Sequence, residues 1–161
     1  MGSDRSFDRG DETRRAYVQT MDRDTRQKVG RMTIMLTEDT YDKALTAFNI
    51  AVAGLEMGMP VMVFCSARGI NVLKKAYKPR RSRWGEAPVA WKETFIRRRG
   101  GQTLSQLMYT ARDMGVELLA CYTSMVSLGI KEPQLISEVK TVRMVEFLEQ
   151  CKQADTQFVI G

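Results

Sequence analysis

Three cysteines, Cys65, Cys121 and Cys151, are the most nucleophilic side chains in a 161-residue chain that contains no histidine. Without an imidazole there is no Ser-His-Asp or Cys-His machinery and no ordinary zinc site, because each needs that ring as base or ligand. A thiol attacks only as its thiolate, so activation must come from backbone dipoles or from Lys and Arg. The cysteines are odd in number, widely spaced and free of any CxxC pair, which argues against a disulfide framework or a metal knuckle. The pattern fits a reduced, cytosolic protein whose thiols exchange or carry sulfur.

Two of the three cysteines stand where an apolar run meets a helix signal. Cys121 closes Val116-Glu117-Leu118-Leu119-Ala120 and is followed by Tyr122-Thr123-Ser124-Met125. A thiol there is expected to face the unpaired N–H groups of a helix start, which favour the thiolate. Cys65 closes Val61-Met62-Val63-Phe64, with Ser66 and Gly69 next in line. Cys151 lies inside the last helical stretch beside Val145, Phe147 and Leu148, and reads as core. A small buried core residue is also the common fate of a free cysteine, and position alone does not choose between the two readings for Cys121.

The elements that must hold these thiols alternate. Met32–Leu36 reads as a buried strand, with Asp39 or Thr40 capping a helix whose apolar positions recur from Tyr41 to Met57 before Gly58. Val61–Phe64 is a second strand and Gly69–Lys75 a short helix. Thr103 caps a helix carrying Leu104, Leu107, Met108 and Ala111, which Gly115 ends. Val116–Cys121 is a third strand, followed by a helix to Gly129. Ile130–Ser137 is a connection, Val139 falls in a very short strand, Val142 to Lys152 is helical, and Gln157–Ile160 is the last strand. This alternation implies an α/β fold, a parallel sheet with helices on both faces. Ligands of such sheets bind beyond the carboxyl ends of the strands. Thr37, Asp39, Ser66, Gly69, Tyr122, Thr123 and Ser124 all fall on that edge and are the expected lining of a site around Cys121, with Cys65 as its auxiliary. If the two cysteine strands are neighbours, the thiols approach exchange distance; if a strand intervenes, a bridge needs backbone movement.

Between Lys74 and Arg99 ten Lys or Arg face only Glu86 and Glu93, a net +8 in a chain of +6 overall. Pro79, Gly85 and Pro88 make residues 76–101 read as a long basic loop inserted in the domain, with Trp84, Trp91 and Phe95 as anchors. It serves as a solvated loop, or as a lid or docking surface for an anionic sulfur donor or an acidic carrier. A nucleic-acid surface is the weaker reading, since no recognised module accompanies the basic and aromatic residues. Nucleotide sites lack their signatures: there is no GxGxxG turn and no P-loop. Glu38 and Asp39 make a possible carboxylate pair, which capping explains more simply.

The chain is long enough for one core without staples, and no apolar run approaches a membrane span. Residues 1–30 alternate charges and read as a polar extension outside a single domain of residues 31–161. Within that extension Tyr17, Val18 and Met21 form one apolar face, and Met1-Gly2 to Ser6 matches a loose myristoylation pattern.

The pattern resembles the DsrE/DsrF/DsrH-like sulfur-relay family, in its DsrE-like branch described as peroxiredoxin-like or sulfurtransferase-like. The matching pieces are Tyr41-Asp42-Lys43-Ala44, Val63-Phe64-Cys65 with Gly69 to Lys75, and Leu104-Ser105-Gln106-Leu107 leading to Gly115-Val116. The most diagnostic is Ala120-Cys121-Tyr122-Thr123-Ser124-Met125 through Leu128-Gly129-Ile130-Lys131, and Phe147-Leu148 and Gln157–Ile160 also fit. The resemblance implies a three-layer α/β/α fold with a five-stranded, mainly parallel sheet in which the two cysteine strands are neighbours. It implies that Cys121 takes the sulfur-accepting position, that Cys65 has a less constant one, and that the chain forms a homo-oligomer and passes sulfur to a small carrier protein. It calls for no cofactor or metal. A non-catalytic adaptor that docks an acidic partner through the basic loop is the alternative.

Overall fold

The computed structural model describes residues 30–81 and 87–161. The apolar face of Tyr17, Val18 and Met21, the Met1-Gly2 pattern, Trp84 and Gly85 lie outside them.

Five strands form one sheet, β1 (Arg31–Leu36), β2 (Val61–Cys65), β3 (Glu117–Cys121), β4 (Lys140–Val142) and β5 (Ala154–Ile160), in the order β4-β3-β2-β1-β5. Every pairing is parallel. The family-implied architecture is therefore present, with the cysteine-bearing β2 and β3 side by side.

The two faces of the sheet are covered unequally. One carries helix α1 (Tyr41–Glu56), the 3-10 segment Ala67–Leu73 and helix α3 (Leu104–Asp113) over a large core that includes Ile34, Leu36, Val63, Cys65, Leu118 and Ala120. Ala44, Ala47 and Ala51 line the inner stripe of α1 with no exposure, so that helix sits close to the strands and buries Phe48 completely. Burying a side chain of that kind contributes roughly 2–3 kcal/mol. The opposite face holds a smaller core of Met62, Phe64, Leu119, Cys121 and Phe147. Among the described residues it is covered by α5 (Met144–Cys151), whose Phe147 ring stacks on Phe64 at 4.2 Å between centroids.

Several expectations are corrected. The loop of residues 76–101 contains helix α2 (Val89–Arg98), which has no fully buried residue. It is held from outside, by Lys92 pairing with Asp42 at 2.9 Å and by Val89 and Ile96 packing on the large core. The helix expected from Val142 begins at Met144, because Val142 ends β4. The short helix at Gly69 begins two residues earlier as a 3-10 turn. Thr40 is the N-cap of α1, without a side-chain cap bond.

Candidate functional site

Register decides where the two strand-end thiols point. Cys65 is paired laterally with Ala120, so Cys121 extends β3 one residue further and stands beside Ser66. Laterally paired residues share a face and successive residues alternate. Cys65 therefore enters the large core with Val63, Leu118 and Ala120, while Cys121 joins Phe64, Leu119 and Phe147 on the other side. The structure brings the strands together and sends the thiols apart, and all three cysteines are free.

Around Cys121 the turn after β2 and the first turn of the helix after β3 build a small polar cluster. Cys121 is the N-cap of α4 (Tyr122–Leu128), with extended backbone at φ −69° and ψ 116°. The Ser66 and Ser124 hydroxyl oxygens are 3.3 Å apart, and the Ala67 N–H donates to Ser124 Oγ at 2.8 Å. Because Ser124 already accepts from Ala67, its own hydrogen is free to turn to sulfur. The cluster is nearly closed: Cys121 is 2 %, Ser66 7 % and Ser124 9 % exposed.

The two thiols have opposite acidities. Burial opposes ionisation of Cys121 most strongly, yet the Ser124 hydroxyl, the Ser124 N–H, the Ser66 hydroxyl and the Thr123 N–H together hold its pKa below the ordinary thiol value. Among the described residues Cys65 has no such donors, and burial pushes it up to about 12. Cys121 is thus the more acidic of the two thiols, and both are buried. Since α4 is only seven residues long, these hydrogen bonds explain the acidity better than a helix dipole would.

The other expected lining residues are divided. Thr123 and Ser124 supply donors, and Ser66 completes the cluster. Tyr122 is 54 % exposed beside it. Gly69 lies under the turn, its N–H donating to Thr37 O at 3.1 Å, and an added methyl there would collide with the Leu36 carbonyl oxygen. Thr37 closes the end of β1 against Ile160. Asp39 is buried as a structural latch, accepting from Asn71 Nδ2 at 3.1 Å and from Arg80 Nη1 at 3.4 Å, while Tyr77 donates to its backbone carbonyl at 2.8 Å. Glu38 pairs with Arg68 at 2.7 Å and makes no carboxylate dyad. Cys151 Sγ is 3.8 Å from Thr33 Oγ1. Among the described residues no group of His, Cys, Asp or Glu could hold a metal, and no helix is long and apolar enough to cross a membrane.

Sequence reasoning missed Ala67. Its φ of 47° is left-handed, which costs an alanine roughly 1–2 kcal/mol. That turn aims its N–H at Ser124. Nothing in the sequence signals it, since Gly or Asn is the usual occupant of such a position. The basic helix α2 also lies apart from the thiol. Ile96 shares an open groove of about 540 Å³ with Leu45 and Val52 of α1, Leu107 of α3 and Met114 just after α3, on the side opposite Cys121.

A family model described as DsrE/DsrF/DrsH-like matches residues 28–85 and 82–159. The chain belongs to this family. The uncharacterized protein YrkE of Bacillus subtilis is 25 % identical over 158 residues, covering 83 % of this chain and 99 % of YrkE. The crystal structure of ychN protein from E. coli is similar with a TM-score of 0.62 at 18 % identity, covering 81 % of this chain and 99 % of the other. MTH1491 from Methanobacterium thermoautotrophicum, a protein of unknown function, gives 0.58 at 16 % identity over 80 % and 98 %. The two solved structures share the DsrE-like fold.

Proposed function

We propose that this DsrE-like chain is a sulfur carrier or sulfurtransferase acting through Cys121. The observation that carries the reading is the place of Cys121 at the end of β3 beside the Ser66, Ala67 and Ser124 cluster, whose hydroxyls, with the nearby Ser124 and Thr123 N–H groups, hold the thiol pKa below its ordinary value in spite of burial. The Cys121 thiolate attacks the outer sulfur of a hydropersulfide donor, the donor's S–S bond breaks, and the donor leaves as a thiolate. Cys121 then holds the sulfur as a persulfide. An acceptor thiolate attacks that outer sulfur, and Cys121 is released as thiolate. The transfer is redox-neutral and needs no cofactor. Donor and acceptor are a small sulfur species or sulfur-carrier protein, the chain acts as a homo-oligomer in the cytoplasm, and Cys65 supports the strand end by packing. Intact mass measurement after treatment with polysulfide is expected to show one added sulfur on the wild type. Absence of that mass, or equal labelling of Cys121→Ser, overturns the reading.

A second reading, the non-catalytic adaptor, is favoured by α2. It exposes Trp91 (71 %) and Phe95 (56 %) one turn apart, ends in Arg97 and Arg98, and places Arg99 over the Phe95 ring at 4.3 Å. On that reading Cys121→Ala retains function, and neutralising Arg97, Arg98 and Arg99 abolishes binding of an acidic partner.

A further inference from the structure

A sulfur held on a cysteine can leave in two ways. An outside thiolate takes the outer sulfur and frees the cysteine, which is transfer. Alternatively a second thiolate attacks the inner sulfur, a disulfide forms, and the outer sulfur departs as hydrosulfide. This second route oxidises two thiols to a disulfide, reduces the outer sulfur, and needs no other reagent. On Cys121 it demands a thiol that reaches Sγ from the same face of the sheet.

The chain has two other thiols, and the fold withholds both. Cys65 ends the adjacent strand but enters the large core on the opposite face. Cys151 packs on the same small core as Cys121, nearer the strand starts. Its Sγ is 3.8 Å from Thr33 Oγ1, and Thr33 is level with Met62 and Glu117 across the sheet. Cys121 lies four residues beyond Glu117, about 13 Å further along, and two strands away from β1, about 10 Å across.

Two positions do meet the requirement, and each holds a serine. Ser66 follows the Cys65–Ala120 pair and so is level with Cys121 on the neighbouring strand. One strand spacing, about 4.8 Å, falls within the span of about 4.4–6.8 Å that a disulfide bridges between Cα atoms. Ser124 stands in the first turn of α4, so that Cys121-Tyr122-Thr123-Ser124 has the spacing of a C-x-x-C pair with a hydroxyl in the second place. The two hydroxyl oxygens are 3.3 Å apart, and both side chains are buried beside Cys121. A serine hydroxyl donates hydrogen bonds to sulfur, but without a base it is a poor nucleophile and expels nothing.

We infer that Ser66 and Ser124 fix the fate of the sulfur on Cys121: they fill the two places from which an internal thiol would expel it, so the chain keeps its persulfide until an external thiol arrives. The inference rests on the sulfur-carrying reading of Cys121. It places the chain between a reaction that supplies sulfane sulfur and one that consumes it on an acceptor thiol, and hydrosulfide is no product of the chain alone.

The full chain is loaded with polysulfide, freed of excess reagent, and followed for hydrosulfide release and intact mass. Wild type is expected to keep its added sulfur without added thiol and to lose it when glutathione is supplied. Cys65→Ala and Cys151→Ala are expected to match it. Ser66→Cys and Ser124→Cys are expected to release hydrosulfide about tenfold faster or more, because a held thiol reacts at high effective concentration. Both should end with a disulfide between Cys121 and the introduced thiol, seen by peptide mapping without reduction. Serine variants that load and hold their sulfur as long as wild type, or a wild-type release slowed by Cys65→Ala or Cys151→Ala, overturn the inference and leave the carrier reading standing. A wild type that takes up no sulfur overturns the carrier reading itself and the inference with it. If one serine variant does not fold, the other decides.

Discussion

Cys65 and Cys121 end adjacent parallel strands one residue out of step, and that single step puts their side chains on opposite faces of the sheet. An intramolecular bridge would have to pass through the sheet. Diamide treatment of the wild type is therefore expected to produce no Cys65–Cys121 disulfide, read by peptide mapping without reduction. A linked peptide containing both residues would refute the register.

The acidity of Cys121 rests chiefly on Ser124. Removing one hydrogen bond to a charged group costs about 1.5 kcal/mol, so Ser124→Ala is expected to slow alkylation of Cys121 at neutral pH roughly tenfold. The inflection of its rate against pH moves upward, because burial then acts with fewer donors to oppose it. Stopped-flow alkylation across pH measures both. Ser66→Ala acts in the same direction, and an unchanged profile in both variants would remove the donor cluster from the account.

Cys65 affects stability at the alkaline end. Its folded pKa is raised to about 12, so it stays neutral in the fold while the unfolded thiol ionises near 8.5. The contribution is fully present below the unfolded value and is lost as pH rises from there toward 12. Urea midpoints are expected to fall less steeply over that window in Cys65→Ala than in wild type, although the variant is weaker at neutral pH.

The thin face of the sheet depends on Phe147. It is 4 % exposed and stacks on a fully buried Phe64. Phe147→Ala is expected to destabilise the chain by about 3–5 kcal/mol in urea unfolding. A loss under 1 kcal/mol would mean that α5 contributes little to holding the face closed.

Gly69 tests the turn under the site. Its replacement by alanine drives a methyl into the Leu36 carbonyl at the end of β1. A loss of about 2 kcal/mol is expected, with slower alkylation of Cys121 because Ser66 and Ala67 move with the turn. Thermal unfolding and the alkylation rate check the two parts separately.

Much of this arrangement is legible in the residues. Apolar runs ending at Leu36, Cys65 and Cys121 locate the strand ends, and the polar residues after them mark the carboxyl edge of the sheet. The opposed thiols were not legible, because facing depends on lateral register, and register is fixed by pairing partners distant in sequence. α2 is illegible for another reason: only Val89 and Ile96 of its residues pack on the core, too few for a periodic apolar stripe, and Pro79 and Pro88 read as loop. β4 is too short to carry an alternation, so the very short strand expected at Val139 starts one residue later, at Lys140. The Ser66–Ser124 pairing joins the turn after β2 to α4 across 58 residues, which only the parallel neighbourhood of β2 and β3 brings together.

The groups that favour the Cys121 anion are all uncharged: two hydroxyls and two peptide N–H dipoles. Mobile ions screen interactions between exposed charges over about 10 Å at 0.1 M, but they hardly reach short hydrogen bonds inside a closed cluster. The alkylation rate of Cys121 with a neutral reagent is therefore expected to change little from dilute buffer to concentrated salt.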